Sequence, residues 1–375
     1  MAGRFKIPLL DLQAQARALS PSLRRAVLSV IRRGDYILGR EVSLFETEFA
    51  RFCGTPHGVG VASGTDALEL ALRALGIGPG DRVAVPSLTF LATADAVLHV
   101  GAVPLFIDVE PETLTLDSED LERKAGELPP GQRKKLKAVI PVHLYGHPCR
   151  MDSLLQVARR HRLKVIEDAA QAAGAKWKGR PVGSIGDAGC FSFFPTKNLG
   201  ALGDAGLVTT HSSACASRLR SLRVHGRGQG EFQERLGRNS RLDELQAALL
   251  RVKLRKLRAW VARRRALAAE YTRRLSQLSG IVCPQEAPGA FHSFGLYVIR
   301  SRRREQLRRA LTAEGIASRV YYPVPLHKQP LHRASSRDLR LPETDRACNE
   351  VLALPLYPEL KFSDLHRVCD AIASA

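Results

Sequence analysis

The sequence predicts an α/β fold built on a mostly parallel, buried β-sheet. Three observations lead to this prediction. Short apolar stretches alternate with helical ones along most of the chain, whose 375 residues suffice for two closely packed domains. From about Leu242 the alternation gives way to a long helical region. We therefore expect a large domain over residues 1–254 and a smaller C-terminal α/β domain over residues 255–375.

The N-terminal part of the chain is predicted to be helical. Two amphipathic stretches run into a glycine, Gly34 in the first and Gly54 in the second. Glycine directly after a helix is typical of a C-cap, because it adopts the left-handed conformation without a steric penalty. The two predicted helices are LSPSLRRAVLSVIRRG and EVSLFETEFARFCG.

Strand–turn–helix units follow these helices. The first unit has a short strand near residues 59–62, a Ser-Gly-Thr turn and a helix from Asp66. Strands that alternate with helices form parallel sheets with right-handed crossovers. Further strands are expected in DRVAVP, VPLFIDV, LKAVIPVHLYG, LKVIEDAA and DAGCFSFF, further helices in LATADAVLHVG and MDSLLQVARRHR, and a surface loop in GELPPGQRKK.

The C-terminal part has a different pattern. A long helical stretch, DELQAALLRVKLRKLRAWVARRRALAAEYTRRLSQL, leads into the strand FGLYVIR and the helix REQLRRALTAEG. A helix, a strand and a further helix in this order indicate a small α/β domain.

The charge balance is strongly basic, with a formal net charge of +20. The arginines are spread over many segments, and in RVKLRKLRAWVARRR the apolar residues keep helical spacing, as in an amphipathic helix with a solvated basic face. We therefore expect no nucleic-acid partner. The positive field would instead attract anionic small molecules such as nucleotides.

Membrane insertion and metal binding are not expected. No stretch reaches the roughly 18–20 uncharged apolar residues of a membrane span, and the N-terminal MAGRFKIPLLDLQAQ has no apolar leader region. The seven cysteines are scattered and form no CxxC pair. This pattern argues for reduced thiols in a cytoplasmic protein and against a zinc ribbon or a disulfide scaffold.

Polar and aromatic residues fall where the predicted parallel strands end. Ligands of such sheets bind at the carboxyl ends of the strands, and Ser63, Phe90, His143 and Asp168 all lie at such ends. FSFFPTKNLGALGDAG follows another strand and holds a single cation, Lys197, among small, aromatic and glycine residues.

Each of these residues alone has an ordinary structural explanation. An acid at a strand end usually caps a helix, a serine or threonine is a common N-cap, phenylalanine is usually core, and a lysine is usually on the surface. Together they predict one ligand, with a phosphate at Ser63-Gly64-Thr65, a flat ring at Phe90, a basic ring nitrogen at Asp168 and an electrophilic carbon at Lys197. Pyridoxal 5'-phosphate (PLP) has all four parts.

The chain resembles the DegT/DnrJ/EryC1/StrS family of sugar aminotransferases. This resemblance implies the PLP-dependent transferase fold of type I, similar to aspartate aminotransferase, with a mostly parallel seven-stranded sheet and a smaller C-terminal domain. It also implies a homodimer whose active sites lie at the subunit interface. The motifs that carry it are GDYILGREVSLFETEFA, VASGTDALELAL, PSLTFLATADAV, PVHLYG, EDAAQAAGA, FSFFPTKNLGALGDAG, GRNSRLDELQAALL, YYPVPLH and LPLYP.

The resemblance also assigns roles to individual residues. It implies that Lys197 forms a Schiff base with PLP, that Asp168 pairs with the pyridine nitrogen and that Gln171 lies near the ring hydroxyl. Some relatives are dehydratases with histidine in place of this lysine, so Lys197 favours an aminotransferase. The other implied residues are Gly64, Thr65 and Ser192 for the phosphate, Phe90 for the ring, Asn239 and Arg241 for the partner's site, and Tyr321, Tyr322 and His327 for the substrate.

The implied reaction is a ping-pong transamination from an amino acid, L-glutamate in most of the family, to a nucleotide-linked keto-sugar. The segment KNLGALGD, with Ala172 after Gln171, is more similar to the enzymes that aminate carbon 3, so a dTDP-3-keto-6-deoxyhexose is the expected acceptor. A 4-keto nucleotide sugar and a free keto-inositol remain alternatives. A regulatory protein would need a DNA-binding segment outside the PLP domain, and the sequence has no spare residues for one.

Overall fold

The computed structural model describes residues 5–228, 232–336 and 338–375. Its centre is a seven-stranded sheet with the strand order β1-β9-β8-β5-β4-β2-β3. Strand β9 is antiparallel to both of its neighbours, and the other adjacent pairs are parallel. The predicted mostly parallel sheet is therefore confirmed. The first four residues, part of the stretch without an apolar leader, lie outside the described residues.

The elements follow the predicted alternation through the large sheet. The strands are β1 (His57–Val61), β2 (Arg82–Pro86), β3 (Val103–Ile107), β4 (Leu136–Val139), β5 (Lys164–Asp168), β6 (Lys176–Trp177), β7 (Arg180–Pro181), β8 (Ala188–Ser192), β9 (Gly206–Thr210), β10 (Ala290–Phe291), β11 (Tyr297–Arg300) and β12 (Val351–Leu354). The helices are α1 (Leu12–Arg33), α2 (Arg40–Cys53), α3 (Gly64–Ala74), α4 (Ala92–His99), α5 (Ser118–Glu127), α6 (Pro130–Arg133), α7 (Met151–His161), α8 (Ser213–Leu222), α9 (Glu244–Leu275), α10 (Arg304–Ala313), α11 (Pro342–Glu350) and α12 (Phe362–Ala373).

Two helix ends match the sequence expectation and two details differ from it. Gly34 and Gly54 end α1 and α2 with φ of 69° and 74°, as left-handed caps. Helix α3 begins at Gly64, earlier than the Asp66 expected, because the Ser63 hydroxyl accepts a hydrogen bond from the Asp66 amide and so caps the helix. The expected loop GELPPGQRKK contains the short helix α6, which proline starts.

The apolar core has separate clusters around the large sheet and around the two-stranded sheet of β11 and β12. The second cluster joins the C-terminal half of α9, α10, α12 and Ile7 from the start of the chain. Helix α9 runs unbroken through residue 254, the expected boundary, so it belongs to both clusters. The division of the chain at residues 254 and 255 therefore stays a prediction. Among the described residues, no helix combines the length and apolarity that crossing a bilayer requires.

Candidate active site

Asp168 ends β5 at the carboxyl edge of the large sheet. Its buried carboxylate accepts hydrogen bonds from the Thr93 hydroxyl (2.9 Å, to Oδ2) and from the Ala170 amide (3.1 Å, to Oδ1). Burial raises the pKa of Asp168, and these two hydrogen bonds and the positive charge of Lys197 partly offset the rise. Both oxygens of the carboxylate are thus held in place, and a further cationic partner would stabilise its charged form.

The neighbouring Glu167 has a structural task on the other face of the same strand, since successive side chains of a strand alternate. Its carboxylate accepts from the backbone amides of Gly183, Ile185 and Gly186 and from Nε2 of His143 at 2.9 Å. Nδ1 of His143 accepts from the Cys149 amide, so the ring proton lies on Nε2, towards Glu167. Although His143 lies at the predicted strand end, its side chain is committed to this structural network.

Lys197 lies in the loop between β8 and β9. Two backbone hydrogen bonds close the loop on itself, from the Lys197 amide to the Phe194 carbonyl (2.9 Å) and from the Ala201 amide to the Phe193 carbonyl (2.7 Å). Burial lowers the pKa of Lys197, and within the described part of the chain the opposing charge is the carboxylate of Asp168. A lysine of lowered pKa is a better nucleophile and base at neutral pH.

An open helix N-terminus lies beside this loop. The amides of Gly64 and Thr65, in the first turn of α3, have no acceptor among the described residues. Ser192, the last residue of β8, packs against this turn so closely that a Cβ built on Gly64 would lie 2.6 Å from the Ser192 Cβ. Free amides, a hydroxyl and the positive end of the helix dipole together form a site suited to a phosphate.

Aromatic side chains border the same region. The ring of Phe90 is 53% exposed, and its centroid lies 6.0 Å from that of Tyr322. The Tyr322 hydroxyl accepts a hydrogen bond from Nε2 of Gln171 at 3.0 Å, and Oε1 of Gln171 accepts from the Tyr145 amide at 2.7 Å. Burial raises the pKa of Tyr322, which keeps its phenol protonated. Gln171 therefore joins the strand-end region to the segment that carries the two tyrosines.

The remaining substrate-side candidates occupy different environments. Tyr321 packs edge-on against Tyr322, and the guanidinium of Arg319 lies 5.1 Å from the centre of the Tyr321 ring. His327 is buried, and its Nδ1 lies 2.7 Å from the hydroxyl of Ser87, in the loop after β2 that leads to Phe90. His327 thus holds the loop after β2 in place through Ser87. Its direct contact with a substrate stays a prediction.

Asn239 and Arg241 flank an anchored residue. The Ser240 hydroxyl accepts a hydrogen bond from the Ala62 amide at 3.2 Å, directly before the turn that begins α3. Asn239 is exposed and Arg241 is partly exposed. The segment that carries both residues is thereby held beside the turn that begins α3 in the same chain. Their reach into the partner's site stays a prediction.

Sequence reasoning missed three residues that position this site. They are Thr93, Arg238 and Ser240. Thr93 donates a hydrogen bond to Asp168, the guanidinium of Arg238 pairs with Asp66 (3.2 Å) and Glu69, and Ser240 accepts from the Ala62 amide. Thr93 follows Phe90 by three residues at the start of α4, and this spacing was the available signal. Arg238 and Ser240 flank Asn239 in the motif GRNSR, and this motif was the available signal for both.

Comparison with known proteins gives the family. The profile of the DegT/DnrJ/EryC1/StrS aminotransferase family matches residues 19–373, nearly the whole chain. The chain belongs to this family. The resemblance seen in the sequence and the expectation of an enzyme are both confirmed, and the large sheet is the one expected for the type I fold.

The relatives of this aminotransferase carry several names. The chain is 44% identical over 372 residues to a "pleiotropic regulatory protein" of Geobacillus stearothermophilus, covering 98% of each chain. It is 44% identical over 368 residues (98% and 95%) to a dTDP-3-amino-3,4,6-trideoxy-α-D-glucose transaminase of Streptomyces venezuelae. It is 43% identical over 372 residues (99% and 98%) to a UDP-N-acetyl-3-dehydro-α-D-glucosamine 3-aminotransferase of Acidithiobacillus ferrooxidans.

Solved structures agree over the full length. The crystal structure of DesV from S. venezuelae, in complex with a ketimine intermediate, has a TM-score of 0.94 at 44% identity, with 98% of each chain covered. The structure of NtdA from Bacillus subtilis, with the bound cofactor PMP, has a TM-score of 0.90 at 30% identity and covers 98% of this chain and 84% of that one.

Proposed function

We propose that this aminotransferase uses PLP to move an amino group from an amino acid, L-glutamate, to a nucleotide-linked keto-sugar in a ping-pong reaction. One observation carries the proposal: the loop of Lys197 follows β8, and the buried, hydrogen-bonded carboxylate of Asp168 ends the adjacent parallel strand β5 at the same edge of the sheet. Burial lowers the pKa of Lys197, and the charge of Asp168 opposes this shift. An amine that is easily deprotonated and a carboxylate for a cationic ring nitrogen are the two groups that PLP chemistry needs. The PMP-bound structure of NtdA supports the same cofactor.

The residues present fit PLP at each of its parts. The open amides of Gly64 and Thr65 and the hydroxyl of Ser192 would hold the phosphate, and the exposed face of Phe90 would stack on the ring. The carboxylate of Asp168 would pair with the ring nitrogen. When bound, PLP supplies an electron sink for the bond broken at the substrate carbon. Gln171, near the ring hydroxyl by family resemblance, has its Nε2 on the hydroxyl of Tyr322.

The chain's own residues then supply orientation and proton transfer. Asp168 must be ionised to keep the ring nitrogen protonated, and the hydrogen bonds from Thr93 and Ala170 favour that charged form. Lys197 would take the proton from the α-carbon of the donor and deliver it to the carbon atom of the cofactor that bore the aldehyde, a 1,3-transfer. The lowered pKa of Lys197 raises the fraction of free base available for this transfer at neutral pH.

We infer a 3-keto sugar as acceptor, a dTDP-3-keto-6-deoxyhexose. The motif KNLGALGD favours carbon 3, and two relatives at 43–44% identity are named for sugars aminated at that position. Tyr321, Tyr322 and His327 are proposed to border the sugar. The net positive charge favours an acceptor that carries a diphosphate.

A homodimer with shared active sites completes the proposal. Large apolar side chains in the last two turns of α1 and in the link from α1 to α2 are 44–50% exposed in the single chain, which is typical of a surface that a partner covers. Asn239 and Arg241 would then enter the partner's site. The apolar side chains are Leu28, Ile31, Tyr36 and Ile37.

The test is a two-stage assay on the purified protein. PLP-loaded protein mixed with L-glutamate alone should change its absorption and release one equivalent of α-ketoglutarate, and a dTDP-3-keto-6-deoxyhexose should then restore the spectrum. The same second stage with a dTDP-4-keto-6-deoxyhexose or a free keto-inositol separates the alternatives. Absence of the first change with every amino acid tried would rule the proposed reaction out, and would leave a regulatory role, as in the name of the G. stearothermophilus relative.

Gly64→Ala should weaken cofactor binding. The added methyl group would lie 2.6 Å from the Ser192 Cβ, so the phosphate-binding turn must move. Overpacking of this kind costs about 1–3 kcal/mol, and we expect the dissociation constant for PLP to rise about tenfold to hundredfold. An absorbance titration of cofactor-free protein with PLP measures it. Gly126→Ala, where an added Cβ meets nothing within 4 Å, is the matched control, and an equal effect of both changes would contradict the assignment.

A further inference from the structure

Lys253 is a lysine inside the protein that the proposed reaction does not use. It lies on α9, is 2% exposed and donates a hydrogen bond from Nζ to the carbonyl oxygen of Gly200 at 2.7 Å. Gly200 follows Lys197 by three residues in the same loop. Burying an ammonium group costs free energy unless the group has a hydrogen-bond partner or an opposite charge. The hydrogen bond from the buried Lys253 ammonium to the Gly200 carbonyl therefore indicates that this contact stabilises the loop.

A second side chain of α9 holds the same loop. Oε1 of Gln246 accepts a hydrogen bond from the amide of Leu202 at 2.8 Å. Gln246 and Lys253 are seven residues apart, which places them on one face of the helix, two turns from each other. Helix α9 therefore binds the loop at two points shortly after Lys197.

Helix α9 also contacts the C-terminal part of the chain. The carboxylate of Glu359 acts on Lys253 through its charge, and Oε2 of Glu359 is buried without a hydrogen-bond partner among the described residues. Burial lowers the pKa of Lys253 to about 8, and the charge of Glu359 opposes this shift. Arg264, one more buried cation of α9, donates to the Leu356 carbonyl at 2.8 Å and also acts on Glu359.

We propose that Lys253 is a positioning residue that fixes the loop of Lys197 to helix α9. For catalysis this rests on the proposed function, because Lys197 is the reacting amine there. The physical reason is that the Gly200 carbonyl loses its buried donor when Lys253 is removed, and the loop relaxes. A displacement of about 1 Å at a reacting group lowers a rate by about 10²-fold.

The first test measures the loop without any cofactor. Lys253→Met keeps the length and removes both the charge and the donor. Lys124→Met is the matched control, since Lys124 is also buried and also donates to a backbone carbonyl, that of Phe106 at 2.9 Å. Phe106 lies in β3, at the edge of the large sheet that is far from β8 and β9. Hydrogen exchange of peptides covering residues 197–203, read by mass spectrometry, should be about tenfold faster in Lys253→Met and unchanged in Lys124→Met.

The second test separates positioning from general stability. In the PLP-loaded enzyme, Lys253→Met should lower kcat by about 10²-fold with little change in KM, whereas Lys124→Met should leave kcat at the wild-type value. Lys253→Arg, which keeps the charge and the donors, should restore most of the rate.

These outcomes decide the proposal. It is overturned if the loop exchanges in Lys253→Met as in the wild type, or if Lys124→Met lowers kcat equally. If Lys253→Met does not fold, Lys253→Leu, which also removes the charge and the donor, takes its place in the same comparison. A wild-type protein that binds no PLP would refute the proposed function, while the exchange measurement would still report on Lys253.

Discussion

Replacing Lys197 with alanine is expected to lower the rate of amino transfer by at least about 10⁴-fold. The change removes both the anchor for the cofactor and the base that moves the proton. Lys197→Arg should be nearly as inactive, because a guanidinium stays protonated and is not nucleophilic. The measurement is a single-turnover reaction of each PLP-treated variant with L-glutamate, followed by absorbance.

The control for this experiment is a lysine on the surface. Lys134→Ala removes an exposed lysine just after α6 and should react at the wild-type rate. A Lys197→Ala protein that retained more than a few per cent of the wild-type rate would contradict the assignment of Lys197 as the reacting amine. Loss of folding is excluded by comparing the far-ultraviolet circular dichroism of the two variants.

Asp168→Asn is expected to lower kcat by about 10²–10³-fold while the protein still binds PLP. The amide cannot hold a proton on the ring nitrogen by its charge, so the cofactor loses its capacity to accept electrons. The phosphate-binding residues are unchanged, so cofactor affinity should fall much less than kcat. Steady-state kinetics and a PLP titration of the same preparation measure the two quantities.

Thr93→Val gives a graded comparison for Asp168. It removes one hydrogen bond to the ionised carboxylate, at 2.9 Å, and keeps the shape of the side chain. The pKa of Asp168, already raised by burial, should rise further, and a carboxylate with a higher pKa loses its charge at a higher pH as pH falls. The acid limb of the kcat profile should therefore move to higher pH.

Equal kcat in the wild type and Asp168→Asn would refute the role of this carboxylate.

The sequence allowed prediction of the parts of the site that lie at strand ends. Asp168 and Phe90 could be brought together because parallel strands place their carboxyl ends along one edge, and Lys197 followed because its loop comes directly after another strand. The family motifs supplied the rest of the cofactor contacts. The predicted start of α3 at Asp66 is two residues late, because Ser63 caps the helix by accepting a hydrogen bond from the Asp66 amide, which makes Asp66 the third residue of the helix.

Contacts between distant segments could not be predicted in this way. Lys253 is one of many basic residues in its helix, and only the packing of α9 against the loop selects it for Gly200. Ser240 similarly reaches the Ala62 amide across 178 positions of the chain. The family motif predicts His327 beside the substrate, whereas its hydrogen bond with Ser87 joins residues 240 positions apart and depends on the packing of the loop after β2.

The measurement that tests the central claim most directly is the location of the cofactor on the chain. The purified protein is incubated with PLP, its visible absorption is recorded before and after borohydride reduction, and the reduced adduct is mapped by peptide mass spectrometry. We predict a yellow protein that bleaches on reduction, with the pyridoxyl group on Lys197. A colourless protein that takes up no PLP, or a label on a different lysine, would contradict the account.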